Sequence, residues 1–346
     1  MLASEKFGNP KGVVNNSATL FNALAPHMHA LNAFLRSEVS RFEPEIRDHV
    51  RYCLGRGGKR LRPALVFFAG WGRAGGVSDD LVRVAAVIEL VHLATLVHDD
   101  ILDSASVRHG RSTASRKFGP ETAVLLGDAL FAHAVHLSTD FPGSEVCRLI
   151  SRATRRVCAG EIAQTARRGA ADITITEYFR LIELKTAELF KVSCFLGARL
   201  GGYGDDFCEA AKRFGLNLGI GYQVYDDLVD FFGNEEEIGK TLGTDLAGRK
   251  YTLPVILLLA KLSAVEKEEF FNDVRAARDE KVEMWLARMV ERGIHAEVVE
   301  TIFGKAKEAA NALEVFGDLP PVGNLLKLSD FLKSRTMNLR MVEAKS

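Results

Sequence analysis

The sequence has no surplus of charge: 45 Lys and Arg residues balance 45 Asp and Glu. That balance excludes wholesale nucleic-acid binding, so any electrostatic function has to sit in local clusters. Cysteine is scarce. The five residues, Cys53, Cys147, Cys158, Cys194 and Cys208, are odd in number and form no C-x-x-C pair. They read as reduced core thiols of a cytoplasmic protein, not as a disulfide framework or a zinc site. No uninterrupted apolar run approaches the length of a bilayer span, and the richest, Leu253 to Ala260, is far too short. The N-terminal MLASEKFGNPKG lacks the apolar stretch of a signal peptide. Strand-like alternation of any length, repeats in the solenoid range and low-complexity linkers are missing as well. The expectation is a soluble, cytoplasmic, helical protein with no transmembrane segment.

What is present supports that class. With 346 residues, 47% of them hydrophobic, the chain can bury a large core. Glycines gather at apparent breaks, Gly55–Gly58, Gly70–Gly76 and Gly201–Gly204, and segments of helical period run between them. Ser78 followed by Asp79 and Asp80 makes a good helix start: a capping side chain, then acids at the positive end of the dipole. From Leu81 to Val97 that helix is apolar on nearly every face, which belongs at the centre of a bundle. Glu266 to Val315 alternates charge with Phe270, Val274, Trp285, Met289, Val298 and Phe303, as outer amphipathic helices do. The reading is one all-α helical bundle domain over residues 16–346, preceded by a loosely held arm over residues 1–15.

Two clusters interrupt this apolar pattern. His98-Asp99-Asp100-Ile101-Leu102-Asp103 closes the central helix, and Gln223-Val224-Tyr225-Asp226-Asp227-Leu228-Val229-Asp230 closes another apolar segment. In each, the first and last aspartates are four apart and share one helix face. Like charges so placed repel, whereas hard divalent cations would turn the repulsion into binding. A solvated acidic face is the plain alternative. With 19 Asp in 346 residues, however, D-D-x-x-D would arise by chance about 0.06 times per chain, and it occurs twice. The spacing and missing central glycine do not fit an EF-hand loop. Mg²⁺ would neutralise the facing carboxylates and leave a positive surface for a diphosphate, which favours heterolysis of a carbon–oxygen bond with diphosphate leaving.

Basic residues in several places could complete such a site. Gly57-Gly58-Lys59-Arg60-Leu61-Arg62-Pro63 joins a permissive backbone to a point charge and a planar fork. Arg108, His109 and Arg111 follow the first aspartate cluster, Lys185-Thr186 lies in a helical stretch, and Gly239-Lys240-Thr241 and Lys250-Tyr251-Thr252 follow the second. Each alone could be surface decoration. Together they supply counter-charges for two diphosphates, one held through metal and one directly.

GGKRLRP, ELVHLATLVHDDILD, LLGDALF, AGEIAQ, LIELKTAELF, GYQVYDDLVDFFG and GKTLGTDL…KYTLP resemble, in order, the blocks of the trans-prenyl diphosphate synthases, and most of all its medium- and long-chain, octaprenyl-type members. The resemblance covers about residues 55–255. It implies a homodimeric all-α bundle around a deep central cavity, and three Mg²⁺ per active site. Asp99 and Asp103 would bind metal from one wall and Asp226 from the other, supported by Asp100, Asp227 and Asp230. Arg108, Lys185, Gln223, Lys240 and Lys250 would hold the allylic diphosphate, with Thr186 beside it. Lys59, Arg62 and His92 would hold isopentenyl diphosphate; without the resemblance, His92 would read as a satisfied core histidine. Glu161 and Gln164 are further candidates. Two positions depart from the pattern: His109 stands where the family has a second arginine facing isopentenyl diphosphate, and Arg249 where it has glycine.

The implied product is a medium- or long-chain all-trans polyprenyl diphosphate. The growing chain would run from Asp99 back along its helix past Thr95, Ala94 and Val91, residues that set product length. Ser78 lies 21 residues upstream, about 31 Å of helix, which leaves room for about six isoprene units and a product of about C30 to C50. A short-chain farnesyl or geranylgeranyl synthase is the nearest alternative. A terpene cyclase fits less well, because its second metal motif would differ and it has no use for Lys59 and Arg62. A non-catalytic partner subunit would typically lose one aspartate cluster.

Overall fold

The computed structural model describes residues 22–55, 60–72, 76–108, 110–233, 243–276 and 281–339. The anticipated arm over residues 1–15, together with Lys59, His109 and Lys240, lies outside the described residues.

The chain folds into helices in this order: α1 Ala25–Glu38, α2 Arg47–Leu54, α3 Leu61–Ala69, α4 Asp79–Leu102, α5 Ala114–Phe118, α6 Pro120–Ser138, α7 Glu145–Ala166, α8 Ile175–Ile182, α9 Glu188–Leu200, α10 Asp205–Phe232, α11 Thr244–Ala247, α12 Leu253–Lys261, α13 Ala264–Arg275, α14 Val282–Glu291, α15 Ile294–Asn311 and α16 Pro320–Met337. The expected all-α class holds. The strands among the described residues are a two-residue hairpin, β1 Val107–Arg108 against β2 Arg111–Ser112, paired antiparallel.

Local chemistry sets the helix starts. Ser78, in extended conformation, accepts a hydrogen bond from Leu81 N as the cap of α4, with Asp79 and Asp80 in the first turn. Thr174 and Glu177 form a capping box at α8, as do Ser263 and Glu266 at α13. Buried apolar side chains from Leu24 on the N-terminal side to Leu332 in α16 form one continuous core.

α4 sits where its composition placed it. It packs on α6, α3 and α1, and Val84, Ile88, Leu90, Val91 and Ala94 are fully buried. α4 runs for 24 residues and holds an 18-residue stretch of mean hydropathy 1.7, so by length and composition it could cross a membrane, although the sequence shows no unbroken apolar run there. Since 72% of its apolar stretch is buried inside the bundle, its burial is accounted for by the core. α10 packs most extensively on α9 and α15. Gly215 and Gly219 make the α9 contact possible, because a Cβ there would lie 2.5 Å from Phe190 O and 2.9 Å from Phe190 Cβ, respectively. The segment read as outer helices is packed more deeply than expected: α15 lies directly on α10, and Phe270, Trp285, Met289 and Val298 are all buried.

Candidate active site

The two aspartate clusters end two of the longest core helices. Asp99 and Asp100 occupy the last turn of α4, and Asp103 is the residue that terminates it. Acids at a helix C-terminus oppose the macrodipole, so this helix end needs cations, and it has them. Lys250 Nζ donates to Asp103 Oδ2 at 2.7 Å and Arg168 Nη2 to Asp103 Oδ1 at 2.7 Å. A second nitrogen of Arg168 donates to the Leu102 carbonyl at 3.1 Å, covering an orphan acceptor of the helix end. Burial alone would raise the Asp103 carboxyl. The hydrogen bond and charge of Lys250, with Lys185 and Arg168 beyond it, outweigh that and hold it below its ordinary value.

Asp99 faces Lys185 at 3.7 Å. The Lys185 ammonium also donates to Glu161 at 2.9 Å and to Gln164 at 3.1 Å. Burial works against that charge, but Asp99 and Glu161 more than compensate, so the ammonium titrates above its usual range. Burial, with Asp99 adding to it, pushes Glu161 up despite Lys185.

The middle aspartates anchor neighbours. Asp100 is fully buried, and its Oδ1 accepts from Arg108 Nε at 2.5 Å, which fixes the β1 hairpin over the helix end. On α10, Asp227 accepts from Tyr178 OH at 2.5 Å and from Gln223 Nε2 at 2.8 Å, while Thr186 Oγ1 donates to Gln223 Oε1 at 2.6 Å. Burial and the charge of Asp245 push Asp227 up to about 8, against the two hydrogen bonds. Asp230 Oδ2 accepts from Asp245 N at 3.0 Å, and Lys250 N donates to Asp245 O at 2.7 Å. The segment ending in Lys250 therefore bridges one aspartate cluster to the other. Asp226, half-buried, presents its charge toward Arg62, as Asp99 does.

Arg62 and His92, both assigned to isopentenyl diphosphate by the resemblance, lie side by side, with Arg62 Nη1 and His92 Nε2 3.0 Å apart. Arg62 also stacks on the Phe190 ring at 5.1 Å. Behind them, Arg60 is held in left-handed conformation at φ 44° and donates to the buried Glu89 at 3.1 Å. Burial raises the Glu89 carboxyl against the pull of Arg60 and Arg62. Ala94 and Val91 are fully buried on α4, and Thr95 is nearly so.

Around the two helix ends, Lys185 and Lys250 thus meet Asp99 and Asp103, Thr186 and Gln223 meet Asp227, and Arg62 lies beside His92. Sequence reasoning missed Arg168, Tyr178, Glu89 and Arg60. Among the described residues, no group of three or more His, Cys, Asp or Glu stands together as a preformed metal cage. The donors nevertheless fit Mg²⁺, since Asp99, Asp103 and Asp226 offer hard carboxylate oxygens from two helices and already attract cationic partners.

Comparison with known proteins identifies the family. Residues 43–290 match the polyprenyl synthetase family. The chain is 34% identical to chloroplastic solanesyl-diphosphate synthase 2 of Oryza sativa over 261 residues, 73% of this chain and 65% of that protein. It therefore spans just under two thirds of that relative's length. It is 33% identical to geranylgeranyl diphosphate synthase of Methanosarcina mazei over 293 residues, 82% of this chain and 88% of that one. The crystal structure of a decaprenyl diphosphate synthase from Rhodobacter capsulatus superposes with a TM-score of 0.85 at 33% identity, covering 93% of this chain and 99% of that one. With the family match over residues 43–290, a relative 33% identical over 88% of its length and the shared fold, this chain belongs to the polyprenyl synthetase family.

Proposed function

We propose that this chain is a Mg²⁺-dependent prenyltransferase that condenses isopentenyl diphosphate with an allylic diphosphate into a medium- or long-chain all-trans polyprenyl diphosphate of about C30 to C50. The carrying observation is the convergence on Asp99 and Asp103 of cations from three separate segments, Lys185, Arg168 and Lys250. Such an alternation of carboxylate and ammonium suits an anionic leaving group bound together with divalent metal.

Asp99, Asp103 and Asp226 would hold Mg²⁺, which supplies Lewis-acid charge to the departing diphosphate. Lys185 and Lys250 bind the same diphosphate directly, with Thr186 and Gln223 orienting it. Lys240 joins them on the strength of the resemblance. The allylic carbon–oxygen bond breaks and its electron pair leaves with the diphosphate. Arg62 and His92, with Lys59 and His109 by resemblance, hold isopentenyl diphosphate so that its double bond attacks the allylic carbon. A proton is then lost to the released diphosphate, so no side-chain nucleophile is required. The apolar walls of α4 exclude the water that would quench the cation. Asp100, Asp227 and Asp230 act by holding Arg108, Gln223 and the segment that leads to Lys250.

The long-chain reading is supported by the solanesyl and decaprenyl relatives, while the geranylgeranyl synthase of Methanosarcina mazei keeps a shorter product as the second reading. The working form is taken to be a cytoplasmic homodimer, on the resemblance alone. Incubation of pure protein with labelled isopentenyl diphosphate, farnesyl diphosphate and Mg²⁺ tests the proposal. Linear polyprenyl diphosphates beyond C20 are expected, and a cyclic hydrocarbon or no incorporation would reject it.

A further inference from the structure

Between α8 and α9 the helix takes one π-turn, Glu183–Ala187, in which Glu188 N–H reaches back five residues to the Glu183 carbonyl. Such a turn carries one residue more than the α ladder accommodates, so its surroundings have to hold it in place. Here it presents Lys185 to Asp99 at 3.7 Å and Thr186 to Gln223 at 2.6 Å. Arg156, on α7, has no part in the reaction as derived above, yet its guanidinium spans this turn. Nη2 lies 2.8 Å from Glu183 Oε1, and Nε lies 2.8 Å from Glu188 Oε2. These are the two residues that the π hydrogen bond joins. Glu188 is 2% exposed, a depth at which a carboxylate requires partners, and Arg156 and Lys191 provide them.

The same helix supplies the rest of the grip. At Gly160, one turn beyond Arg156, a Cβ would lie 2.9 Å from both Leu184 Cβ and Lys185 N, so the α7 backbone presses directly on the turn. Glu161 and Gln164 then hold the Lys185 ammonium. From the opposite side, Gly219 of α10 brings its backbone against Ala187. The turn is wedged between two helices, and α7 aims its cation.

We propose that Arg156 is a positioning residue for allylic diphosphate binding, clamping Glu183 and Glu188 so that the π-turn keeps Lys185 and Thr186 aimed into the site. The inference rests on the functional reading above. A planar fork suits the task because it fixes two carboxylates at once, which a lysine cannot do with the same geometry. Without the clamp, relaxation of the turn to an α ladder rotates the flanking side chains relative to one another by about 100° and takes Lys185 off Asp99.

Steady-state kinetics on the full-length protein, with farnesyl diphosphate as the allylic probe, tests this. Arg156→Met is expected to raise the KM for farnesyl diphosphate about tenfold and to keep that for isopentenyl diphosphate within about twofold. Arg156→Lys should fall in between, and Arg156→Met should add nothing in a Lys185→Ala background. An unchanged farnesyl KM, equal rises in both KM values, or additive effects with Lys185→Ala would overturn the proposal. Should Arg156→Met fail to fold, Glu183→Ala opens one arm of the clamp at a side chain 31% exposed. That variant must then show the same split in KM, and a uniform effect overturns the proposal. A wild-type protein inert toward both substrates would instead reject the functional reading, and this inference with it.

Discussion

At the scale of single residues, the outer and middle aspartates do different work. Asp99→Ala and Asp226→Ala are each expected to lower kcat a hundredfold or more, roughly the cost of losing a key electrostatic stabiliser, while leaving the unfolding midpoint near that of wild type. Activity above about a tenth of wild type at saturating Mg²⁺ would refute the metal assignment. Asp227 behaves differently because it is buried against Tyr178 and Gln223. Its carboxyl is raised from 3.8 to about 8, so the stability it contributes is fully present below pH 3.8 and is lost as pH rises through about 8. In metal-free protein, wild type should therefore lose thermal stability between those values, and Asp227→Asn should flatten that decline. Parallel pH profiles for the two proteins would show that Asp227 does not titrate in this window. The aspartates were legible in the sequence because four-residue spacing on a helix is a local signal. Arg168 and Tyr178 were not, because their partners lie 65 and 49 residues away, a pairing that only the tertiary fold creates.

At the scale of elements, α4 could be read from composition and its capping serine, and the start and central position of that helix follow. The close helix crossings and the π-turn could not, since they depend on which backbones meet. Gly197 and Gly304 make the point, both lying in helices and indistinguishable in the sequence. A Cβ on Gly197 of α9 would stand 2.4 Å from Val66 O of α3, whereas one on Gly304 of α15 meets nothing within 4 Å. Gly197→Ala should therefore force the α3–α9 crossing apart and cost about 1–3 kcal/mol. Gly304→Ala should stabilise by about 0.5–1 kcal/mol through helix propensity. Urea denaturation of both variants decides it, and the same sign for both would refute the packing argument. The LIELKTAELF segment shows the opposite limit of legibility. Lys185 and Thr186 were identified there by resemblance, but their aim depends on a turn that no propensity signals.

At the scale of the whole molecule, the proposed reaction makes product length a question of how deep the bundle is. α4 runs unbroken for 24 residues from Asp79 to Leu102, with the aspartates at one end and the Ser78 cap at the other. An isoprene unit is about as long as one helical turn, roughly 5 Å, so each addition takes the chain end about one turn deeper. The side chains met first along α4 are small: Thr95 and Ala94, followed by Val91 one turn further in. No aromatic ring stands at four or five residues before Asp99 to stop the chain early. Under the proposed reaction, phenylalanine at position 94 would stand in the path of the chain about one turn below Asp99. Ala94→Phe is therefore expected to shift the product from medium or long chains toward C15–C20, with Mg²⁺ dependence retained. Because Ala94 is fully buried, the added ring also tests which way the residue faces. If it packs on a neighbouring helix, the variant should lose about 1–3 kcal/mol of stability and keep its product length. Chromatography of the products alongside thermal unfolding separates the two. Unaltered chain length in Ala94→Phe, or wild-type product no longer than C20, would mean that this face of α4 is not the ruler.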